Sequence, residues 1–237
     1  MTLKEYDPGI RYARQIAIEG IGKTGQRKLN NSKVLIIGCG ALGSMVAMEL
    51  AGAGVGEITV IDYDKIDISN LQRQFFYSAY ETGEKKVETL AARMRDLNPE
   101  TVVTTISGIM TKSRAEEIFG NFDFIIDATD NPESKKITGD VAYGEKKPCC
   151  IAGVRDFSGQ VMTFLAEDPR FEDYFGSASA EGLLPCYLSG VIGPAAALCA
   201  SIQAAECIKY LTGYGELLTH RLFYFDLSKN LFKTFQI

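Results

Sequence analysis

Six residues between two apolar runs constrain this chain more than any other part of it. Gly38-Cys39-Gly40-Ala41-Leu42-Gly43 directly follows Val34-Leu35-Ile36-Ile37, and a second apolar run, Ile58-Thr59-Val60-Ile61, closes on Asp62. The order reads as strand, tight turn, helix, and a second strand ending in a carboxylate. Glycines in such a turn let backbone amides approach a phosphate, the helix N-terminus adds partial positive charge, and an acid about 20 residues on binds ribose hydroxyls. Taken alone, the pattern suits NAD.

The residues beyond the second strand suit a triphosphate better. Asp62-Tyr63-Asp64 leads into Asn70-Leu71-Gln72-Arg73-Gln74, then Lys86 at a helix start, and later Ala128-Thr129-Asp130-Asn131 at the end of another strand. A dinucleotide has one charge on each of two phosphates, whereas ATP carries about four and travels with magnesium, so it needs several cations and a carboxylate for the metal. Arg73, Lys86 and Asp130 supply that set.

With these residues the chain resembles the ubiquitin-activating-like adenylyltransferases of the ThiF, MoeB and HesA type, whose bacterial members serve molybdopterin and thiamin-thiazole synthesis. The matching elements are Arg11 to Gln15, the glycine turn, Asp62 to Asp64, Asn70 to Gln74, Lys86-Val87-Glu88, Asn98-Pro99 and Thr129-Asp130-Asn131. Gly190 to Pro194, Ser201 to Glu206, Ile208-Lys209 and Gly213-Tyr214-Gly215 follow near the C-terminus. The ordered set at these spacings is specific where the glycine turn alone is weak.

The chain alternates strand-like and helix-like segments, which favours an α/β, Rossmann-like, largely parallel sheet with helices on both faces, followed by a C-terminal antiparallel extension. Strands are expected at Ile58 to Asp62, Val102 to Ile106, Phe122 to Asp127 and Cys149 to Val154, with helices at Lys85 to Leu97 and Lys112 to Phe119. A turn at Asp156 to Gly159 links Ile151–Val154 to a strand at Gln160–Ala166. Glu167 to Pro185 has little periodicity and is long for a loop, so it is a candidate substrate-covering segment. Pro194 to Leu211 reads as a buried helix, and Leu222–Asp226 with Leu231–Phe235 as a final hairpin. The expected organisation is one adenylation domain over 1–237. It comprises a helical segment 1–30, a nucleotide-binding core 31–155, and a part 156–237 for carrier binding and dimerisation.

With 237 residues, the chain can bury about 70 to 75% of its unfolded surface as one compact unit. A net charge of -5 gives no global attraction for nucleic acid or anionic membranes. No apolar run reaches the roughly 20 residues of a membrane span and Met1 to Asn30 lacks a signal-peptide pattern, so a cytoplasmic location is expected. Six scattered cysteines, Cys39, Cys149, Cys150, Cys186, Cys199 and Cys207, read mostly as reduced core residues.

The resemblance implies an enzyme that uses ATP and Mg2+ to adenylate the C-terminal carboxylate of a small ubiquitin-like sulfur-carrier protein ending in Gly-Gly. The thiazole branch is placed ahead of molybdopterin synthesis, and sulfur comes from a separate donor protein. A carboxylate is already a nucleophile, so no Ser-His-Asp set is needed, and the chain has one histidine, His220. By resemblance, Arg73 and Lys86 face the phosphates and Asp130 holds the metal. Arg14 reaches the phosphates of the neighbouring subunit of a homodimer. Asn70 and Gln74 lie near the phosphates and Asp62 on the ribose, while the turn of Gly38, Gly40, Ala41 and Gly43, with Asp64 and Asn131, completes the nucleotide site.

Asp130 can also cap a helix before Pro132, and Asp127 is a rival ligand at the same strand end. Lys135 and Arg155 either line the cleft or lie on the surface. Cys186 is either an acyl or persulfide carrier or an inert thiol. Two Cys-x-x-Cys pairs found in many bacterial relatives are missing, so no zinc is expected. Competing readings are a tRNA-modifying dehydratase of the same family, an NAD-dependent oxidoreductase, and a silent partner subunit.

Overall fold

The computed structural model describes residues 8–175 and 190–237. The short helices α1 (Pro8–Arg11) and α2 (Ala13–Ile16) precede α3 (Gly22–Asn30). The alternating part then runs β1 (Lys33–Ile37), α4 (Ala41–Ala53), β2 (Glu57–Asp62), α5 (Lys86–Leu97), β3 (Val102–Ser107), α6 (Lys112–Ile118), β4 (Phe124–Asp127), α7 (Pro132–Gly144) and β5 (Cys149–Arg155). After it come β6 (Ser158–Phe164), α8 (Phe171–Phe175), α9 (Gly193–Thr212), β7 (Arg221–Asp226) and β8 (Leu231–Gln236).

All these strands join one sheet in the order β3-β2-β1-β4-β5-β6-β7-β8. The first five are parallel, because a helix returns the chain between them, and β6 to β8 add antiparallel hairpin strands. The parallel strands are covered on both faces, so β1 is an unbroken apolar run: Val34 and Ile36 enter one core layer while Leu35 and Ile37 enter the other. The first layer packs under α4, α5 and α9, and the second under α6 and α7.

Helix α9 approaches the antiparallel strands closely. A methyl group at Gly159 of β6 would stand 2.3 Å from Cys199 Sγ, so glycine is needed for that contact. The opposite face of β5, β6 and β7 is less covered and carries a cavity described below.

Several boundaries differ from the expected ones for local reasons. Arg155 pairs with Ser158, so the first hairpin turns on Asp156 and Phe157 alone, with Asp156 at φ +52°, and β6 begins at Ser158. Strand β4 starts at Phe124 because Phe119–Asn121 forms a 3-10 turn first. The segment Glu167 to Pro185 contains α8, while 176–185 and Cys186 lie outside the described residues. Among the described residues no helix is long and apolar enough to cross a membrane.

Candidate functional site

Strand β1 lies between β2 and β4, so the C-terminal ends of these parallel strands open a crevice where the winding direction changes. The glycine turn occupies it. Gly38 has φ +95°, and a methyl group there would meet Ala128 O at 2.9 Å, so the turn lies against the end of β4. At Gly43 a methyl group would stand 1.8 Å from Gly38 O, so only a hydrogen lets α4 begin beneath the turn. Helix α4 starts at Ala41 after Gly40 with no side-chain cap, which leaves its first amides available to an anion.

Side chains from two segments hold this turn. Asp62 Oδ2 accepts from Cys39 N at 2.6 Å, and Asp62 Oδ1 accepts from Asp64 N at 2.7 Å. The expected ribose ligand therefore also braces the turn, and a carboxylate retains further lone-pair capacity for a hydroxyl. Tyr77, buried and unflagged by the sequence pattern, donates its hydroxyl to Cys39 O at 2.7 Å. Its only sequence signal is its position three residues after Gln74.

The segment Asn70 to Gln74 coils so that Asn70 O accepts from Arg73 N and Gln74 N. Arg73 Nη1 donates to Ser69 O at 3.2 Å, and Asn70 Nδ2 donates to Ser69 Oγ at 3.2 Å. Gln74 is buried beside Gly40, and its Oε1 has no hydrogen-bond partner among the described residues. An unpartnered buried acceptor costs about 1–3 kcal/mol, so this cradle suits a ligand that brings a donor.

Lys86, at the start of α5, is almost wholly buried and its Nζ lies 2.9 Å from Asp64 Oδ2. Burial, then Asp62, push the Cys39 thiol far above its ordinary range, while Lys86 opposes them. Lys86 and Asp62 thus act on the same thiol with opposite sign. The Tyr63 phenol is raised by the charge of Asp64 first, then by burial, Asp130 and Asp62.

The two rival acids at β4 separate clearly. Asp127 is fully buried: Oδ1 accepts from Thr129 N at 3.0 Å, Thr129 Oγ1 at 2.7 Å and Lys135 Nζ at 3.2 Å, and Oδ2 accepts from Thr138 Oγ1 at 2.7 Å. Asp130 is exposed on the crevice. The alternative in which Asp130 caps α7 is ruled out: Asn131 caps it, its Oδ1 accepting from Ser134 N at 2.7 Å. Among the described residues no group of three or more His, Cys, Asp or Glu forms a metal cage. Magnesium, however, is commonly held by one or two carboxylates together with substrate phosphates, a role for which Asp130 has the right chemistry.

Arg14 is exposed on α2 and is not brought to this crevice. Gln15 Nε2 donates to Ala53 O, which places α2 at the C-terminal end of the 13-residue α4. The glycine turn is at the other end, about 20 Å away by the helical rise. The expectation for Cys186 lies outside the described residues.

A cavity of about 430 Å3 adjoins Asp130. Lys135, Gly153, Met162, Phe164 and Leu222 help to line it, with α7 and α8 on one side and the open face of β5, β6 and β7 as its floor. Arg155 also reaches this cavity, more than half exposed, with its Nε 3.4 Å from Asp156 Oδ2. The crevice and cavity together join the glycine turn to an apolar groove.

A model of the ThiF family matches residues 12–237. A "SAMP-activating enzyme E1" of Haloferax volcanii is 35% identical over 94% of this chain and 83% of its own. The "Molybdopterin-synthase adenylyltransferase" of Escherichia coli is 30% identical over 96% of this chain and 92% of its own. The "Probable adenylyltransferase/sulfurtransferase MoeZ" of Mycobacterium tuberculosis is 34% identical over 96% of this chain and 59% of its own. The crystal structure of Escherichia coli MccB with ATP superposes with a TM-score of 0.82 at 23% identity, over 95% of this chain and 71% of that one. That likeness establishes the Rossmann-like fold of the sheet and its helices.

Proposed function

This chain belongs to the ThiF family, and we propose that it is an adenylyltransferase that uses ATP and magnesium to activate the C-terminal glycine carboxylate of a small ubiquitin-like sulfur-carrier protein. One observation carries the reading furthest: Lys86, a buried cation held by Asp64, is linked through Asp64 and Asp62 to a glycine turn where α4 starts with no side-chain cap among the described residues. That arrangement suits a polyphosphate and leaves a nicotinamide without a task. The relatives' names point to carrier activation in several pathways.

In the proposed reaction a carboxylate oxygen attacks the α-phosphorus, the bond from that phosphorus to the bridging oxygen breaks, and pyrophosphate leaves with the electron pair. The chain needs no general base, because its nucleophile is already ionised. Its work is to hold anions together: Arg73 and Lys86 draw charge toward the leaving pyrophosphate, and the α4 amides seat the phosphates. Magnesium bound with Asp130 would neutralise phosphate charge. Gln74 Oε1 would take a donor from the nucleotide, and Asp62 the ribose hydroxyls. The groove beside Asp130, with its apolar floor of Gly153, Met162 and Leu222, would take the carrier's small-residue tail.

Arg14 is proposed to serve the site of a second copy, since its own glycine turn is at the far end of α4. Sulfur from a separate donor would then displace AMP. The thiamin-thiazole carrier is the first partner to test and the molybdopterin carrier the second.

The test is carrier-dependent exchange of labelled pyrophosphate into ATP with each carrier, with Arg73→Ala and Asp130→Ala as controls. Exchange with one carrier that collapses in both variants establishes adenylation and identifies the branch. ATP binding without exchange on either carrier overturns the assignment, and ATP hydrolysis stimulated by tRNA would redirect it to the dehydratase reading.

A further inference from the structure

We propose that Lys135 is the residue that receives the substrate carboxylate, fixing the nucleophile at the inner end of the cavity beside Asp130; the inference rests on the carrier-adenylation reading above. Lys135 lies one turn into α7 and is among the residues that line the cavity, as is Asp130. Two of its three N–H groups are engaged, one with Thr129 O at 2.7 Å and one with Asp127 Oδ1 at 3.2 Å. Among the described residues no third acceptor reaches it.

The mount is rigid. Asp127 is 0% exposed and is locked by Thr129 and Thr138, while Gln203 from α9 donates to Asp127 O at 2.9 Å. The position of Lys135 is therefore set by strand β4 and helix α9 as well as by its own helix. A lysine on a flexible stem normally loses entropy when it grips a ligand, and here that loss has occurred on folding.

Lys135 is also the sheltered cation of the groove. Its side chain is 14% exposed, whereas Arg155 is 56% exposed and faces Asp156. A carboxylate drawn along the apolar floor past Met162 and Gly153 meets Lys135 where water screens least. Asp130, proposed for the metal and phosphates, stands at the same end of α7. Holding the carboxylate there places nucleophile and α-phosphate side by side, which is the main acceleration available to a reaction without a general base.

A role limited to neutralising Asp127 predicts a different response to the chemistry of the carrier tail. The experiment measures calorimetric affinity of the carrier ending in a glycine carboxylate and of the same carrier ending in a carboxamide, for wild type, Lys135→Arg and Lys135→Gln. Wild type should bind the acid roughly 10- to 100-fold more tightly than the amide, the range of one charge-assisted hydrogen bond. Lys135→Arg should keep most of that preference, and Lys135→Gln should lose it while holding ATP within about twofold of wild type.

A Lys135→Gln protein that keeps the full acid preference, or loses ATP affinity by the same factor as carrier affinity, overturns the assignment. If Lys135→Gln does not fold, the double variant Asp127→Asn/Lys135→Gln removes both charges, and the same loss of acid preference is required of it. Wild type that binds neither carrier and exchanges no pyrophosphate overturns the carrier reading itself. A full acid preference in Lys135→Gln, in a protein whose wild type exchanges pyrophosphate, overturns Lys135 alone.

Discussion

Lys86 Nζ and Asp64 Oδ2 are 2.9 Å apart, with the lysine side chain 4% exposed and the aspartate 46% exposed. The cation faces the crevice interior and its counter-ion faces water. Replacing Asp64 by Asn removes the partner of a buried charge. We expect a loss of about 1–2 kcal/mol, less than for a fully buried pair because Asp64 is solvated. Bound ATP would restore a counter-ion, so ATP should raise the denaturation midpoint more in Asp64→Asn than in wild type. Equal ATP-induced shifts would show that Lys86 does not meet phosphate.

Asp127 and Asp130 are expected to fail in different ways. Asp127→Asn disturbs a buried network and should cost about 2–3 kcal/mol in urea denaturation. Asp130→Asn, on an exposed side chain, should leave stability within about 0.5 kcal/mol and lower pyrophosphate exchange about 100-fold. A stable, active Asp130→Asn would remove that residue from the site.

The turn itself is testable at Tyr77 and Gly43. Tyr77→Phe removes the bond to Cys39 O and should cost about 1 kcal/mol while raising KM for ATP more than it lowers kcat. Gly43→Ala drives a methyl group into Gly38 O and should abolish ATP binding in equilibrium dialysis. Unaltered ATP binding by Gly43→Ala would mean that the nucleotide does not use this turn.

If Arg14 acts across a subunit boundary, inactive Arg14→Ala and Lys86→Ala proteins should complement on mixing. Random exchange in a dimer leaves about a quarter of the sites intact, so up to that share of wild-type exchange activity should return. No recovery after confirmed subunit exchange would confine Arg14 to a local role.

The described free cysteines, Cys39, Cys149, Cys150, Cys199 and Cys207, are all buried. Burial pushes the Cys199 thiol up to about 12, against a backbone hydrogen bond from Gln160 and the charge of Lys135, and raises the other four as well. At pH 8 only about one Cys199 in ten thousand is thiolate, so a thiol reagent should label none of the five before denaturation. Above the ordinary thiol range the unfolded chain releases protons that the folded one retains, so stability should fall as pH rises from about 9 toward 12. A urea midpoint unchanged between pH 8 and 10.5 would contradict that sign.

Legibility in the sequence followed the range of the interaction. Val102–Ser107 and the final hairpin lie within a residue or two of expectation, because a run of alternating or apolar side chains is a local signal. The two-residue turn at Asp156-Phe157 was less legible, since the pairing of Arg155 with Ser158 is decided across strands. The choice of Asn131 over Asp130 as the α7 cap depends on one residue of register, which composition does not encode. Tyr77 carried little signal beyond its place three residues after Gln74, because its partner is a backbone carbonyl 38 positions away.

The sequence by itself determined the parallel core, the glycine turn and the ordered set of Arg73, Lys86 and Asp130, because glycine freedom, apolar periodicity and charge are properties of residues and their near neighbours. Tertiary structure alone decided that Asp127 is buried while Asp130 stays exposed, that Asp64 holds Lys86, and that Lys135 lines an apolar groove. Those outcomes depend on which strand ends and helix starts meet in space, and burial, hydrogen-bond partners and the local dielectric arise only when they do.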